Sequence, residues 1–421
     1  MVGGFYSWKI PVASDVAVPI SGPNPELWKT TPATYAVTGL PPGLKINAST
    51  GVISGYPTAA NTATNPAGYP VKITVTNAVK PATGVTTNVT TAIIDIKPLP
   101  LGIVGTYTGS LSRHASNGNL GGRFDMTVSS TGAYTGNVII GSLSARAFKG
   151  GFNLNLNSAG VLQGLIGAKL VLPGVKGGAA MDLQFDLQTT AAVAPAVAPT
   201  TLIVNASAKL CGATTGAVIT GWRHKWAAKA VVGAFDVPTA YVGTPAIPGK
   251  AEIPASGSTP AVPAVPAVPA TTGPYNFLMA LPDADPLLSN AFVPQGTGYA
   301  SFTVSASGTC TIAGRTADGM PITGAFGVGP TGQLFFFQTL YTTTTKGSLL
   351  GSLQIELGVS PIDNDLSGIF SWVRPPDPAA VSATRSRLYR SGFGTTQTVA
   401  GVPATTVTTP VQLVAFGGRY V

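Results

Sequence analysis

Apolar and polar positions alternate one by one in short stretches along most of the chain. Val71, Ile73 and Val75 interleave with Lys72, Thr74 and Thr76, and Phe302, Val304, Cys310 and Ile312 interleave with small polar residues. A two-residue period places the apolar side chains on one face of a strand. Leu334 to Phe337 is a continuous apolar run of the kind expected for a buried strand. Turn-forming residues punctuate these stretches: Pro presets φ and Gly supplies positive φ. Nothing longer than a turn carries a helical period. The pattern predicts an all-β protein of many short antiparallel strands.

The span "GLPPGLKINASTGVISGYPT" at 39–58 shows the pattern at its densest. Residues 35–38 read as a strand, 39–44 as a turn, Leu44 to Ile46 as a strand and Asn47 to Gly51 as a hairpin turn. Val52 to Gly55 returns, and Pro57 ends it. A last strand is expected over Val89 to Ile96. This span, with "YPVKITVTN" at 69–77, resembles the putative-Ig (cadherin-like) modules of bacterial extracellular surface proteins, over roughly residues 15–98. The resemblance implies an Ig-like β-sandwich serving as a structural spacer or adhesive repeat, without catalytic residues. The insertion Ala59 to Gly68 departs from the short turn usual there.

Beyond this module the chain repeats itself. "GTYTGSL" from Gly105 answers "GPYNFLM" from Gly273, and "TVSSTG" at 127–132 answers "TVSASG" at 303–308. "KGGF" ending at Phe152 pairs with "TGAF" ending at Phe326, "NSAG" at Gly160 with "GPTG" at Gly332, and "GAVITGW" at Trp222 with "GIFSW" at Trp372. The order never changes, while the offset drifts between 150 and 176 residues as loop insertions require. Each copy is expected to be a small antiparallel sandwich or barrel, or half of a joint one. This region weakly resembles domains that accompany such Ig modules. The expected organisation is an Ig-like sandwich at 1–98, β copy 1 at 99–242, a Pro/Ala-rich linker at 243–270 and β copy 2 at 271–421. Pro at every third residue of the linker favours polyproline II. Gly418-Arg-Tyr420 either opens a further copy or lies in a strand, Val411 to Val421, that closes the second. With no export signal visible at the N-terminus, a fragment of a longer protein is the expectation.

Composition narrows the setting. Charged residues are 9% of 421, and Gly (52) and Pro (36) are abundant, so Thr, Ser and Asn must supply the polar surface. This profile fits a secreted bacterial all-β protein. The net charge of +9 is scattered, with no run of five Lys or Arg, and reads as solubilising charge, not a nucleic-acid face. No apolar run reaches a membrane helix. Cys211 and Cys310 lack metal spacing; an inert buried thiol is expected at Cys310, and a single bridge between the two stays open.

Candidate chemistry is sparse. In "WRHKW", Trp222, His224 and Trp226 would share one strand face and could stack on a sugar, although Trp222 also reads as a repeated core position matching Trp372. The two histidines, His114 and His224, lack zinc partners and a serine nucleophile and are expected at the surface. Asp363 and Asp365, or Asp283 and Asp285, could offer oxygens to calcium, but neither run continues into a calcium loop; no other cofactor is indicated. The expected function is a non-catalytic extracellular structural or adhesive protein, a surface-display module or a subunit of an extracellular assembly. It would pair with protein partners or itself through sheet edges. The alternatives are a carbohydrate-binding module using Trp222, Trp226 and Trp372 and, less favoured, an outer-membrane β-barrel.

Overall fold

The structure, a computed structural model, describes residues 1–10, 33–77, 87–100, 102–152, 166–172, 180–189, 201–224, 273–289, 293–305, 307–341, 346–358, 363–376, 389, 392–393 and 410–419. It is all-β. The only described helices are 3-10 turns at Ala115–Asn117 and Pro286–Ser289, and none is long and apolar enough to cross a membrane. Trp226, Gly160 and the Pro/Ala-rich stretch lie outside the described residues.

Among the described residues, six strands belong to the N-terminal module: β1 (Tyr6–Lys9), β2 (Ala33–Thr38), β3 (Leu44–Ile46), β4 (Val52–Gly55), β5 (Tyr69–Asn77) and β6 (Thr87–Ile94). They make two three-stranded sheets, β1-β4-β3 and β2-β5-β6. Their inner faces enclose Tyr35, Leu44, Ile53, Val71, Ile73 and Ile94. The Ala59–Gly68 insertion is clamped at Asn61. Its amide donates to Asp95 (2.7 Å), and its carbonyl accepts from the Ile96 N–H (2.8 Å).

The next eight strands are β7 (Gly105–Leu111), β8 (Gly122–Val128), β9 (Ala133–Ile140), β10 (Arg146–Gly151), β11 (Ile166–Leu172), β12 (Met181–Thr189), β13 (Thr201–Leu210) and β14 (Ala217–Arg223). The last eight are β15 (Tyr275–Ala280), β16 (Gly298–Val304), β17 (Thr309–Arg315), β18 (Pro321–Gly327), β19 (Gln333–Leu340), β20 (Gly347–Glu356), β21 (Asp365–Val373) and β22 (Val411–Arg419). The sheet orders are β10-β9-β8-β7-β14-β13-β12-β11 and β18-β17-β16-β15-β22-β21-β20-β19. Numbered within its own copy, each sheet reads 4-3-2-1-8-7-6-5. Both are up-and-down meanders whose two edge strands curl back to meet. Each copy is therefore its own near-closed barrel, not half of a joint one.

Pairing register aligns the copies residue by residue. Tyr107 faces Arg223 across β7 and β14, and Tyr275 faces Arg419 across β15 and β22. The "GTYTGSL" and "TVSSTG" matches agree with this register. The Phe152–Phe326 match is two residues out, because Phe326 corresponds to Gly150. The Trp222–Trp372 match joins different strands, β14 and β21; strand for strand, Trp222 corresponds to Gly418 and Trp372 to Leu210. Val411–Arg419 pairs with both β15 and β21 and so lies inside the second barrel.

Barrel interiors are filled with aromatic rings: Tyr107, Phe124, Tyr134, Phe148 and Phe185 in the first, and Tyr275, Phe302, Phe326, Phe336 and Phe370 in the second. Apolar residues point in, while Thr, Ser and Asn dominate the outside. A membrane-spanning barrel has the reverse polarity.

Candidate functional site at the module junctions

The same clasp closes one end of each barrel. Tyr107 donates to the Ile103 carbonyl (2.6 Å), Arg223 donates to the Val104 carbonyl (3.1 Å), and Thr201 donates to the Gly102 carbonyl (2.6 Å). In the second barrel the Arg419 guanidinium lies 5.1 Å from the centre of the Tyr275 ring and donates to the Gly273 carbonyl (3.3 Å). Asn364, in the position of Thr201, donates to the Tyr275 hydroxyl (2.8 Å). Burial raises both tyrosine pKa values and lowers both arginine values. These arginines went unnoticed in the sequence, and aligning β14 with β22 would have exposed them.

Asp363 and Asp365 flank Asn364 with exposed carboxylates. No cluster of metal-ligating side chains occurs among the described residues. Asp285 accepts from the Leu287 N–H (2.8 Å) and caps the second 3-10 turn. Cys211 is exposed on the first barrel and Cys310 is buried in the second; both are free. His114 is a cap, accepting from the Ser116 N–H at Nδ1 (3.1 Å).

His224 is half-buried, not a free surface side chain, and its Nε2 is buried. It lies at the junction of the two barrels, against Gly327 of β18. Burial drives its pKa down to about 4, with Asp125 pulling up and Arg123 pulling down. Trp222 is 5% exposed and stacks on Phe335 of the second barrel, with centroids 4.2 Å apart. Its ring face is covered by that contact. Trp222 Nε1 and His224 Nε2 are buried without a hydrogen-bond partner among the described residues.

Arg113 anchors the same junction. It donates to Ser371 Oγ (2.7 Å), Ser348 Oγ (2.8 Å) and the Asn119 carbonyl (2.8 Å). Burial lowers its pKa to about 10. Arg123 donates to the Ala325 carbonyl, Lys346 to the Ser142 carbonyl (2.9 Å) and Ser348 to the Leu120 carbonyl (2.7 Å).

The junction before it follows one rule with this one. Tyr56 of the Ig-like module sits on Gly151 as His224 sits on Gly327, and these glycines are equivalent ends of β10 and β18. A Cβ on Gly151 would lie 2.5 Å from the Tyr56 ring, and one on Gly327 would lie 2.1 Å from the His224 ring. Phe5 and Phe152 also exchange backbone bonds with the neighbouring module at 3.1 Å, Phe5 N–H to the Phe152 carbonyl and Phe152 N–H to the Gly3 carbonyl. The Ig-like module and the first barrel thus each lay a ring on the bare end of the fourth strand of the module that follows.

Two further features carry chemistry. A groove of about 780 Å³ on the first barrel has Thr106, Asp125, Thr127, Thr135, Asn137 and Lys149 in its lining, alongside apolar residues that include Met126, Phe148, Val171 and Leu172. In the second barrel Asp318 accepts from Thr316, Tyr341 (2.6 Å) and Arg374 (3.5 Å), and Trp372 donates to the Tyr341 hydroxyl (3.1 Å). Asp318 and Arg374 are 1% and 3% exposed, so this cluster is sealed inside a wall and offers no substrate access.

No curated protein and no solved structure matches the chain. The likeness that is found covers the first module: residues 8–93 match the family described as Putative Ig domain.

Proposed function

We propose that the chain is a non-catalytic extracellular structural or adhesive protein, a surface-display element or a subunit of an extracellular assembly. The observation that carries this reading is the serial docking rule. Ring-on-glycine contacts join each β module to its neighbour in the chain, and the barrel interiors are packed with side chains instead of shaped around a ligand. The Ig-like module, from a family of non-enzymatic modules, agrees with it. Low charge and a Thr-, Ser- and Asn-rich exterior suit life outside a cell. Antibodies against the second barrel should label intact producing cells. Labelling that appears only after lysis would overturn the proposal.

A second reading, carbohydrate binding, is favoured by the groove on the first barrel and not by the tryptophans. Hydroxyl and amide groups on Thr106, Thr127, Thr135 and Asn137 suit sugar hydroxyls. A glycan array separates the two readings: hits abolished by Asn137→Ala support the second, and an array without hits removes it.

A further inference from the structure

The first barrel uses part of the wall at its strands 1, 2 and 8 against the second barrel: Arg113 just after β7, Arg123, Trp222 and His224 meet it there, while Val218 and Thr220 stay exposed. The equivalent wall of the second barrel, β15, β16 and β22, is exposed. Its chemistry differs at matched positions. Arg123, Ser110 and Thr220 of the first barrel correspond to Tyr299, Leu278 and Phe416 of the second. The last three are direct cross-strand neighbours in one rung, and they are 54%, 43% and 50% exposed. Ile369 on β21, paired with Val414, extends the patch and is 58% exposed. Singly exposed apolar residues are ordinary, but a contiguous outward rung with an aromatic at each end marks an interaction surface.

We propose that this wall is a homodimer interface, occupied by a second copy of the chain across a two-fold axis passing near Leu278. Three observations choose that occupant. The wall is the counterpart of one that the first barrel uses, at Arg123 and Trp222, for barrel-to-barrel contact. Its near rim, Asn276, Ser301, Ser367 and Gln412, is polar and uncharged, so two copies meet without repulsion at the centre. Its charges are self-complementary: Arg315 flanks the rung beside Tyr299, while Glu356 and Asp365 lie beyond Phe416 on the other side. A two-fold axis exchanges the flanks and brings Arg315 of one copy towards the carboxylates of the other.

Sedimentation velocity on the full chain tests this. Wild type is expected to dimerise with rising concentration. Phe416→Lys and, separately, Ile369→Lys should each weaken dimerisation at least tenfold with unchanged thermal unfolding of the monomer. Arg315→Glu should weaken it several-fold, and adding Glu356→Arg with Asp365→Arg should restore it. A wild type that stays monomeric at its highest soluble concentration overturns the proposal. So does a dimer indifferent to all these changes. Surface labelling of cells is unaffected by either outcome, so the proposal on function stands or falls apart from this one.

Discussion

In the first barrel Gly136 lies opposite Phe148; at the same two positions the second barrel holds Ile312 and Gly324. The exchange recurs around the wall. Gly109 opposite Phe124 becomes Phe277 opposite Ala300, Tyr134 opposite Gly150 becomes Cys310 opposite Phe326, and Leu183 opposite Ala208 becomes Gly351 opposite Phe370. Each of these four cross-strand pairs holds one large and one small residue, and the copies differ in which strand carries the large one. What the two barrels share is pair volume, not residue identity, as close packing demands. The surface follows no such constraint, so Arg123, Ser110 and Thr220 on one wall give way to Tyr299, Leu278 and Phe416 on its counterpart.

The pairs can be broken one at a time. Gly351→Leu should cost at least about 3 kcal/mol, because its Cβ alone would lie 2.2 Å from Phe370 Cδ1. Gly351→Leu with Phe370→Ala recreates the Leu183–Ala208 pair and should recover most of that loss. Denaturant midpoints decide it: a double variant no better than the single would mean that pair volume is not what the copies share. Removing one of the cations that tie the barrels together, Arg113→Ala, should cost roughly 2–3 kcal/mol through its lost charge-assisted hydrogen bonds. Hydrogen exchange would show the loss at the junction around Ser348 and Ser371, with both interiors still protected; uniform loss would contradict it.

Acid should act at the same place. His224 stays neutral in the folded junction down to about pH 4, whereas a solvated histidine takes up its proton near 6.5. Between those values only the opened state gains a proton, so stability should fall as pH drops through that window and stay flat above it. Asp125 and Arg123 face His224 and partly offset each other. The expected loss is on the order of 2 kcal/mol, and His224→Gln should abolish the slope; an unchanged pH profile would place its origin elsewhere. The smallest effect concerns the seams. Gln338 of β19 accepts from the Thr323 N–H (2.9 Å) and donates to the Pro321 carbonyl (3.1 Å), standing in for a strand partner of β18. Gln338→Ala should cost about 1 kcal/mol and speed exchange of the Thr323 amide. If that amide exchanges at the wild-type rate, the stitch is not holding the seam.

Alternation and turn chemistry made the all-β fold legible, since both are local. The repeat was legible where sequence and position both persisted, at Tyr107 with Tyr275 and at the turns after Val128 and Val304. It blurred where large and small residues trade strands: the eye matches Phe to Phe, and Phe152 with Phe326 is the resulting slip. The two tryptophans misled in the same way, each ending an apolar strand but in different places in the meander. The burial of His224 had no local signal at all, because Gly327 and Phe335 come from the other copy, more than a hundred residues along the chain.

Gln338 has a consequence for how such proteins diversify. In the register of the first barrel its place is taken by Leu172, which packs into the core and offers no amide to the opposite edge. One residue therefore separates a seam stitched at a single point from a seam without that stitch. A lineage that duplicates this sheet can adjust how readily each copy gapes without disturbing the aromatic filling, and two siblings on one chain can differ in compliance.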